Sequence, residues 1–452
     1  MLDVNGKKVL VVGLGVSGCK AARLLVRKGA KVKATDSSDT DEVQRNLKSL
    51  ASYDIEFEVG GHTPGFCAGN DLVVSSPGVD PDSLPLELAK REGASVIGEL
   101  ELGAQFCPAS IIAITGTNGK TTTTELIGRI LSRSGRHTVV AGNIGNPLSG
   151  EVESLTEESV AVVEVSSFQL ETIRDFRATV AVLLNVAEDH YERHATYDNY
   201  KLEKFKIFNN QSKTDWAVLH SDFSGDAAAG RITARRVFFG PGRCEASVET
   251  GEISVDLGGG RQSIISAGEV PLKGRHNLDN VACSVLAARI MGVSRQSIRE
   301  SIMTFRGLSH RFESVADFGG VKFIDDSKAT NIDATRRALE SVEGRVVLIA
   351  GGRDKGADYV SILPLVKDKV KALVVIGEAS EKIEKAFSRE AKVLMAGGMS
   401  EAVSKAFSEA SGGETVMLSP MCSSFDMFSS YKERGDRFQD EVKRLCSSLK
   451  KK

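Results

Sequence analysis

A lysine and a threonine stand at the end of a glycine-rich stretch, "IAITGTNGKTTTT", at residues 112–124. An apolar, β-branched run precedes the glycines and a helix-length segment follows them, which is typical of a phosphate-binding loop. In such a loop Lys120 reaches the β- and γ-phosphates of a nucleotide and the Thr121 hydroxyl binds Mg²⁺. The usual spacing places a further glycine at position 114, where this chain has Ile114. A shortened loop keeps its lysine, so nucleotide binding is predicted, with a plain glycine turn as the alternative.

Further polar residues follow apolar runs in the same part of the chain. Glu164 closes the run in "VAVVEVS", and Asp189 and His190 follow "TVAVLLN". Because the carboxyl ends of parallel strands share one edge of a sheet, these side chains are expected near the loop. Mg²⁺ prefers hard oxygen ligands, so Glu164 is a candidate metal ligand. A lone histidine such as His190 is more often a hydrogen-bonding or core residue, because imidazole suits softer ions.

A second glycine turn lies near the start of the chain. "VVGLGVSG" places Gly13, Gly15 and Gly18 in G-x-G-x-x-G spacing directly after an apolar run, and Asp36 ends the next run. Such glycines let the backbone approach a pyrophosphate at a helix N-terminus, and the acid binds a ribose hydroxyl. Taken alone, the turn favours an NAD-dependent oxidoreductase, although it could hold any nucleotide diphosphate or be a purely structural turn.

The elements that position these residues recur as short β-branched runs separated by helix-length segments, which indicates βαβ units and parallel sheets. A chain of 452 residues is long enough for several domains. We predict three α/β domains: a Rossmann-like one over 1–101, a central one with a P-loop ATPase-type parallel sheet over 102–308, and a Rossmann-like one over 309–452. Short strands between about 213 and 272 are expected to extend the central sheet, several of them antiparallel. A long polar helix is expected over about 426–449, with "YKERGDRF" as a charged helix face and nothing more.

Composition excludes several classes of partner. The chain has 58 Lys+Arg against 60 Asp+Glu, a formal net charge of −2. That balance gives no electrostatic footprint for nucleic acid or an anionic membrane, so neither is expected. Seven scattered cysteines without a C-x-x-C pair indicate free thiols in a reducing cytosol. No apolar run approaches the roughly 18 residues of a transmembrane helix, and the expected location is cytoplasmic.

An ordered series of motifs resembles the Mur ligases: "TGTNGKTTT", "GNIGNP", "EVSSFQLE", "LNVAEDHYERH", "YKLEKFKIF", "GRHNLDN" and "HRFE…DDSKATN". These ATP-dependent enzymes add amino acids to the peptidoglycan precursor, and their phosphate loop has the short G-x-x-G-K-[ST] form. "GLGVSG", "SSPG" at 75–78 and "LSPMCSSFDMFSSYKERGDRF" at 418–438 resemble the branch that adds D-glutamate. The resemblance implies ligation of D-glutamate to UDP-N-acetylmuramoyl-L-alanine through an acyl phosphate, with ATP and two Mg²⁺ ions. It also implies a monomer whose domain closure excludes water from the acyl phosphate.

The resemblance implies roles for individual residues. The UDP-linked substrate would contact Val16, Ser17, Asp36, Ser37, Asn143 and His190. ATP would be bound by Gly116, Asn118, Gly119, Lys120, Thr121, Thr122, Asn277, Asn280, Arg311, Asp326 and Lys328. Magnesium would be held by Thr121, Glu164, His190 and a carbamylated Lys204. D-glutamate would be received by Thr330, Lys355, Ser424 and Tyr431. The catalytic residues would be Lys120, His190, Lys204 and Arg311: Lys120 and Arg311 would neutralise the transferring phosphoryl group, and His190 would help to deprotonate the amine.

Several assignments have plain alternatives. Asn277 and Asn280 stand near a predicted helix start, where either could be a cap. Arg311 could form a surface ion pair that contributes little. Lys204 could be an ordinary solvated lysine on a helix. His194, despite its place in "DHYERH", is expected to be structural.

Two positions depart from the family pattern. Tyr431 stands where phenylalanine is expected, and Arg353 and Asp354 stand where glycine is common, which puts details of the amino-acid pocket in question. The nearest rival function is a sister ligase that adds another amino acid, or glutamate to a folate. The lack of a D-N-P-R stretch argues against diaminopimelate addition. A nucleotide-binding oxidoreductase is the rival from a different class, and a non-catalytic scaffold would leave Lys120, Glu164 and Lys204 unexplained.

Overall fold

The computed structural model describes residues 2–189 and 191–449. Its contacts divide the chain into two compact units. Unit 1 comprises the residues up to Asn185 together with Tyr200–Ile265 and Val281–Ile302. Unit 2 comprises Val186–Asn199, Ser266–Asn280 and the residues from Met303 onward. Three sheets confirm the predicted α/β fold class, whereas the domain boundaries near 101 and 308 stay predictions.

The first sheet has five parallel strands in the order β3-β2-β1-β4-β5. Its elements are β1 (Lys8–Val12), α1 (Val16–Arg27), β2 (Lys31–Asp36), α2 (Asp41–Lys48), β3 (Ile55–Val59), α3 (Pro64–Cys67), β4 (Leu72–Ser75), α4 (Leu84–Glu92), β5 (Ser95–Gly98) and α5 (Glu99–Phe106). The strand order reverses at β1, so the first glycine turn lies where such sheets bind ligands. The sequence analysis named neither β3 nor β5, although "IEFEV" has the alternation typical of a strand, whereas "SVIG" is only four residues long.

The second sheet has nine strands in the order β14-β13-β12-β11-β10-β9-β6-β8-β7. Its strands and the helices of that part of the chain are β6 (Ser110–Thr115), α6 (Lys120–Arg133), β7 (Thr138–Gly142), β8 (Val160–Glu164), α7 (Ser167–Leu170), β9 (Val180–Leu183), α8 (Tyr191–His194), α9 (Tyr197–Phe205), β10 (Trp216–His220), α10 (Ala227–Gly230), β11 (Arg235–Phe239), β12 (Ala246–Glu249), β13 (Glu252–Val255), β14 (Gln262–Ser266), α11 (Arg275–Ile290) and α12 (Arg295–Met303). The expected antiparallel extension occurs at β12 and β13. In contrast, β10 and β11 continue the parallel part of the sheet.

The third sheet lies in unit 2 and has the order β15-β16-β20-β17-β18-β19. Its elements are β15 (Glu313–Phe318), β16 (Val321–Asp325), α13 (Ile332–Ser341), β17 (Val346–Gly351), α14 (Leu363–Lys369), β18 (Val370–Ile376), α15 (Ser380–Phe387), β19 (Lys392–Met395), α16 (Met399–Glu409), β20 (Thr415–Leu418) and α17 (Tyr431–Leu449). Only β15 pairs antiparallel among the described pairings of this sheet. An apolar core covers each face of the sheet.

The last helix is shorter than predicted. It begins at Tyr431 and not near Asp426, because the Asp426 carboxylate accepts a hydrogen bond from the Glu378 amide (2.9 Å) in a loop. Short 3₁₀ helices occupy Leu148–Gly150, Val152–Ser154, Lys206–Phe208, Ser221–Phe223, Ala267–Glu269 and Tyr359–Ile362. Among residues 2–189 and 191–449, no helix combines the length and apolar character needed to cross a membrane.

Candidate active site

The phosphate loop joins β6 to α6. Gly116 and Gly119 have φ angles of +153° and +86°, in the region that favours glycine. Lys120 is the first residue of α6, and its Nζ donates hydrogen bonds to the Gly116 carbonyl (2.9 Å) and to a second loop carbonyl. Thr121 and Thr122 follow in the first turn, the former half-buried and the latter buried. The helix amides and the Lys120 cation therefore face the same loop, as anion binding requires.

Asn185, which was not predicted from the sequence to be a site residue, holds this loop in place through hydrogen bonds. It follows β9, and its carbonyl oxygen accepts a hydrogen bond from the Thr117 amide (3.0 Å). Its side chain accepts from the Asn118 amide (2.9 Å) and donates to the Asn118 carbonyl (2.9 Å). A backbone-like pairing of this kind holds the shortened loop against the next strand.

Lys204 is buried, at 1% exposure, which rules out the solvated alternative. Its Nζ donates to the Gly116 carbonyl at 3.0 Å, the same oxygen that Lys120 binds. The ammonium group also lies 4.3 Å from the centroid of the Tyr200 ring, a cation–π contact. Lys204 therefore belongs to the phosphate-loop site, and its neighbour in that site is another cation.

Glu164 ends β8 beside Ile114 of β6. The carboxyl group is buried, and Oε1 accepts a hydrogen bond from the Asn143 side-chain amide at 2.8 Å. Oε2 is also buried but has no hydrogen-bond partner among the described residues. A buried carboxylate oxygen without a partner is costly, and a bound cation would satisfy it. His190, the histidine predicted for this region, lies outside the described residues.

The first glycine turn is closely packed. Gly13 has a φ of +89°, and a Cβ on Gly18 would lie 1.8 Å from the Gly13 carbonyl oxygen, so α1 can cross the turn only with glycine at that position. Val16 and Ser17 begin α1, and Val16 is 54% exposed. The turn thus presents backbone and an apolar side chain to solvent at the strand-order switch, which fits a nucleotide base or ribose.

Asp36, at the end of β2, organises the loops around this turn. Its Oδ2 accepts from the Leu14 amide (2.7 Å), and its Oδ1 accepts from the Ser38 amide (2.9 Å) and hydroxyl (2.8 Å). Burial acts to raise the pKa of Asp36, but these hydrogen bonds outweigh it and the pKa is lowered overall. Ser37 is exposed between these contacts. Much of the acceptor capacity of Asp36 is therefore already used by the protein itself.

In unit 2, Arg311 and Asp326 are electrostatic neighbours. Asp326 follows β16, and its carboxylate accepts from the Phe312 amide (3.1 Å) and the Ser419 hydroxyl (3.1 Å). Burial raises the pKa of Asp326 to about 7, although these bonds and the Arg311 cation oppose the shift. Lys328 lies two residues further on, with its Nζ 4.2 Å from the centroid of the Tyr431 ring. Arg311 is thus close enough to Asp326 to interact with it electrostatically.

Asn277 and Asn280 lie inside α11, so neither is its N-cap. The Asn277 side chain donates to the Lys273 carbonyl (2.7 Å), and the Asn280 side chain donates to Asn277 Oδ1 (3.3 Å). The two amides are one helical turn apart and touch, which gives a single polar patch. The helix-cap alternative is therefore set aside.

A cavity of about 390 Å³ lies in unit 2 and contains two of the four residues predicted to receive D-glutamate, Thr330 and Lys355. Asp189, which follows the apolar run "TVAVLLN", lines the same cavity and pairs with Lys355 at 3.5 Å. Asn331 donates to Asp189 at 3.0 Å. Arg336 also lines the cavity. From the sequence, the only indication that Asp189 and Asn331 line this cavity is their position inside the motifs "LNVAEDHYERH" and "DDSKATN".

Ser424 and Tyr431, the other two residues predicted to receive D-glutamate, are not part of the cavity lining. Ser424 is buried in the loop after β20, and Tyr431 begins α17. The Tyr431 carbonyl oxygen accepts from the Ser327 hydroxyl (2.8 Å), which ties the helix to the loop after β16.

Arg353 and Asp354, the departures from the family pattern, make contacts that stabilise a loop. Asp354 accepts from the Tyr359 hydroxyl (3.0 Å) and pairs with Lys382 (2.6 Å). Arg353 approaches Glu378 at 3.7 Å and is exposed. Neither residue lines the cavity, so both shape the loop that carries Lys355 without entering the pocket.

Three family profiles match successive parts of the chain. They are described as Mur ligase MurD-like, N-terminal domain (residues 7–98), Mur ligase middle domain (114–288) and Mur ligase, glutamate ligase domain (310–422). The chain is 44% identical over 455 residues to UDP-N-acetylmuramoylalanine–D-glutamate ligase of Pelotomaculum thermopropionicum, a match that covers 99% of each chain. The chain belongs to the Mur ligase family.

Further comparisons agree with membership of the Mur ligase family. An enzyme of the same name from Acidobacterium capsulatum is 42% identical over 447 residues, covering 98% of this chain and 97% of that one. UDP-N-acetylmuramate-alanine ligase of Thermotoga maritima has a similar fold, with a TM-score of 0.60 and 19% identity over 98% of this chain and 100% of that one. Membership of this family sets the oxidoreductase alternative aside.

Proposed function

We propose that this Mur ligase joins D-glutamate to UDP-N-acetylmuramoyl-L-alanine and in doing so converts ATP to ADP and phosphate. The observation that carries the proposal is the end-to-end similarity, at 42–44% identity, to two enzymes named for that ligation. An amide bond forms in water only from an activated acyl group, which ATP supplies. In the proposed sequence the L-alanyl carboxylate attacks the γ-phosphate to give an acyl phosphate, and the D-glutamate amine then attacks the acyl carbon and displaces phosphate.

Lys120 is the residue proposed to neutralise the phosphoryl group during transfer. Its ammonium group already lies over the carbonyls of the loop and at the N-terminus of α6. Preorganised positive charge at developing negative charge is the largest contribution that a protein makes to this chemistry. Arg311 is proposed for the γ-phosphate, with Asn277, Asn280, Asp326 and Lys328 as further ATP contacts.

Mg²⁺ is proposed at Thr121 and Glu164, with a second ion assisted by His190 and Lys204. The donor set fits, because the buried Oε2 of Glu164 lacks a partner among the described residues and Thr121 supplies a hydroxyl. Bound there, Mg²⁺ would offset the negative charge of the ATP phosphates. Asn143 holds the other oxygen of Glu164 and so orients the carboxylate.

Carbamylation of Lys204 fits the charges of the site. Lys204 and Lys120 both donate to the Gly116 carbonyl, so the buried cation of Lys204 adjoins the half-buried cation of Lys120. A carbamate would replace one buried cation with an anion and turn this repulsion into attraction. Its oxygens are also the hard ligands that Mg²⁺ prefers.

The cavity in unit 2 has the charges of an amino-acid site. Lys355 offers a cation to a carboxylate, and Asp189, 3.5 Å away, offers an anion to the amino group. An α-amino acid carries both groups and can replace each half of this ion pair. Arg336, held by Asp333 on α13, adds a second cation to the lining for the second carboxylate of glutamate.

The UDP-linked substrate is proposed to bind at the first glycine turn, through Val16, Ser17, Asp36 and Ser37, and at Asn143. We place the reaction in the cytoplasm, where nucleotide substrates occur and where the seven free thiols of the chain would remain reduced. A monomer is expected from the family resemblance.

The test is phosphate release from ATP by the purified protein with Mg²⁺. UDP-N-acetylmuramoyl-L-alanine and D-glutamate are supplied together, then each is omitted, then D-glutamate is replaced by L-glutamate. Release that requires both substrates and the D-isomer supports the proposal. Release with a different amino acid would reassign the chain to a sister ligase, and no release with any combination would reject the ligase function.

A further inference from the structure

Arg434 is the largest fully buried side chain among the residues that the structure describes. It lies on α17 within "YKERGDRF", the segment predicted to be a charged helix face, and it is only 1% exposed. Arg434 itself therefore does not lie on an exposed face of the helix. It makes no ion pair with a carboxylate among the described residues, so its burial needs a different explanation.

The guanidinium group of Arg434 binds two loops and the carboxyl end of a third strand. Nη2 and Nε donate to the carbonyl and hydroxyl oxygens of Ser327, at 2.8 and 3.0 Å. Nη1 donates to the carbonyl of Ser423 at 3.2 Å and to that of Gly351 at 3.4 Å. A planar guanidinium group with five fixed donors suits such a junction, whereas a lysine cannot reach all of these oxygens in one geometry.

Ser327 and Ser423 lie in the loops after β16 and β20, and Gly351 is the last residue of β17, where the next loop begins. The three strands are neighbours in the sheet. Each loop carries residues proposed to bind substrates. The loop after β16 holds Asp326, Lys328 and Thr330, the loop after β17 leads to Lys355, and the loop after β20 holds Ser424. The distances between substrate-binding side chains in unit 2 therefore depend on the spacing of the loops that Arg434 joins.

The guanidinium group of Arg434 is tightly packed against backbone. Gly352 has a φ of +133°, and a Cβ there would lie 2.2 Å from the Ser423 carbonyl oxygen and 3.0 Å from Arg434 Nη1. The Arg353 amide also donates to the Ser423 carbonyl at 3.0 Å. The loops after β17 and β20 thus meet directly at the arginine.

A buried cation bound only to neutral oxygens is a poor way to stabilise a fold, because apolar residues of similar size stabilise a core at least as well. Burial lowers the pKa of Arg434 to about 10, although Cys422 and Asp426 nearby oppose the shift. The group is nevertheless charged at neutral pH. Its presence is better explained by the geometry that it imposes on the three loops.

We propose that Arg434 is a positioning residue that sets the spacing of the loops after β16, β17 and β20 and thereby the shape of the amino-acid site. The proposal rests on the ligase function proposed above. It concerns D-glutamate most directly, because all three loops carry residues assigned to that substrate. The UDP-linked substrate is proposed to bind at the first glycine turn and at Asn143, which belong to unit 1, and its KM is expected to be unaffected.

The experiment compares Arg434→Lys with Arg444→Lys, a matched change on the same helix at a side chain that is 67% exposed and pairs with Glu441. We expect Arg434→Lys to raise KM for D-glutamate at least tenfold, with KM for the UDP-linked substrate changed less than twofold. Arg444→Lys should match the wild type in both. Equal KM values for D-glutamate in Arg434→Lys and wild type would overturn the proposal.

Arg434→Ala with added guanidinium ion gives a second readout, since a merely structural loss would not be reversed by a small cation. Millimolar guanidinium, but not ammonium, should restore part of the D-glutamate affinity. Guanidinium that leaves KM unchanged in a folded Arg434→Ala protein would contradict the positioning role.

Hydrogen exchange separates this proposal from the ligase assignment, because it needs no turnover. Peptides covering residues 326–330, 351–355 and 420–424 should exchange faster in Arg434→Lys than in wild type, while those of the phosphate loop should not. Unchanged exchange in all three peptides would reject the role of Arg434. If the wild-type protein released no phosphate, the proposed ligase function would be rejected. The exchange comparison would still test whether Arg434 holds the loops together.

Discussion

The phosphate loop and the amino-acid cavity are built in opposite ways. The loop draws its glycines, lysine and threonines from the consecutive residues 115–123 and rests on a strand end through Asn185. The cavity draws Asp189, Thr330, Arg336 and Lys355 from distant parts of the chain. A local site depends on what each side chain does to the ligand, whereas an assembled site depends also on contacts that hold its segments together.

The largest effect is expected from Lys120→Ala, which removes the cation of the local site. Loss of a preorganised charge at the transferring phosphoryl group costs about 10³-fold in rate, so ATP-dependent ligation should be lost in a phosphate-release assay. Lys206→Ala, at a half-exposed lysine that pairs with Glu203, is the control and should stay active. Unchanged turnover in Lys120→Ala would refute the role of the loop.

Lys204→Ala tests whether the second lysine of the loop site acts through a carbamate. We expect the loss of most activity, on the order of 10²-fold, because both the anionic oxygens and their orientation disappear. Short carboxylates such as acetate should restore part of the rate by supplying a hard oxygen ligand in the space left by the side chain. A fully active Lys204→Ala enzyme would remove the carbamate from the mechanism.

The two sites also differ in how far the sequence could predict them. The local loop, its strand and its helix follow from the order of glycine, lysine and threonine, and the parallel sheets follow from the recurring β-branched runs. No spacing argument could show that Lys204 turns back to the Gly116 carbonyl, because that contact joins residues far apart in sequence. The resemblance to a family supplied that assignment.

Arg434 shows the limit most clearly. Its neighbours Lys432 and Glu433 are exposed, so the segment reads as a charged helix face. Its burial arises from three loops that converge only when β16, β20 and β17 are adjacent. A sequence pattern records which residues share a helix face, but not which distant carbonyl groups meet that face.

In the assembled site, Lys355→Met should raise KM for D-glutamate about 10- to 100-fold, because a hydrogen bond to a charged group contributes about 1.5–3 kcal/mol. The change leaves Asp189 without its ion-pair partner at 3.5 Å. Lys367→Met, at an exposed lysine that pairs with Glu390, is the control. The measurement is steady-state kinetics with the D-glutamate concentration varied. A wild-type KM for D-glutamate in Lys355→Met would contradict the assignment of Lys355 to the D-glutamate site.

The two regions can also be compared by the pH dependence of stability, which should differ between two aspartates at strand ends, Asp326 and Asp36. The pKa of Asp326 is raised to about 7 by burial, so the folded state binds more protons than the unfolded state between about pH 4 and 7. Its contribution to stability is present at low pH and is lost as the pH rises through 7. Asp326→Asn should therefore stabilise unit 2 relative to wild type by about 2 kcal/mol more at pH 8 than at pH 5.

Asp36→Asn is the matched control for this measurement. The hydrogen bonds that lower the pKa of Asp36 keep it ionised throughout that range, so its contribution is lost only on acidification below the ordinary carboxyl pKa. Calorimetry at both pH values should thus show a pH-dependent difference for Asp326→Asn and a constant one for Asp36→Asn. A constant difference in both would mean that Asp326 is ionised at pH 5.

The smallest effect is expected at Tyr431, the departure from the family pattern. The Lys328 ammonium lies 4.2 Å from the ring centroid, and the Tyr431 hydroxyl has no hydrogen-bond partner among the described residues. The ring face attracts the cation whether or not the hydroxyl is present. Tyr431→Phe should therefore change KM for ATP and for D-glutamate less than about twofold, whereas Tyr431→Leu should raise KM for ATP several-fold by releasing Lys328. If Tyr431→Phe were as defective as Tyr431→Leu, the hydroxyl would itself contact a substrate. The tyrosine at this position would then change how the pocket binds its substrate.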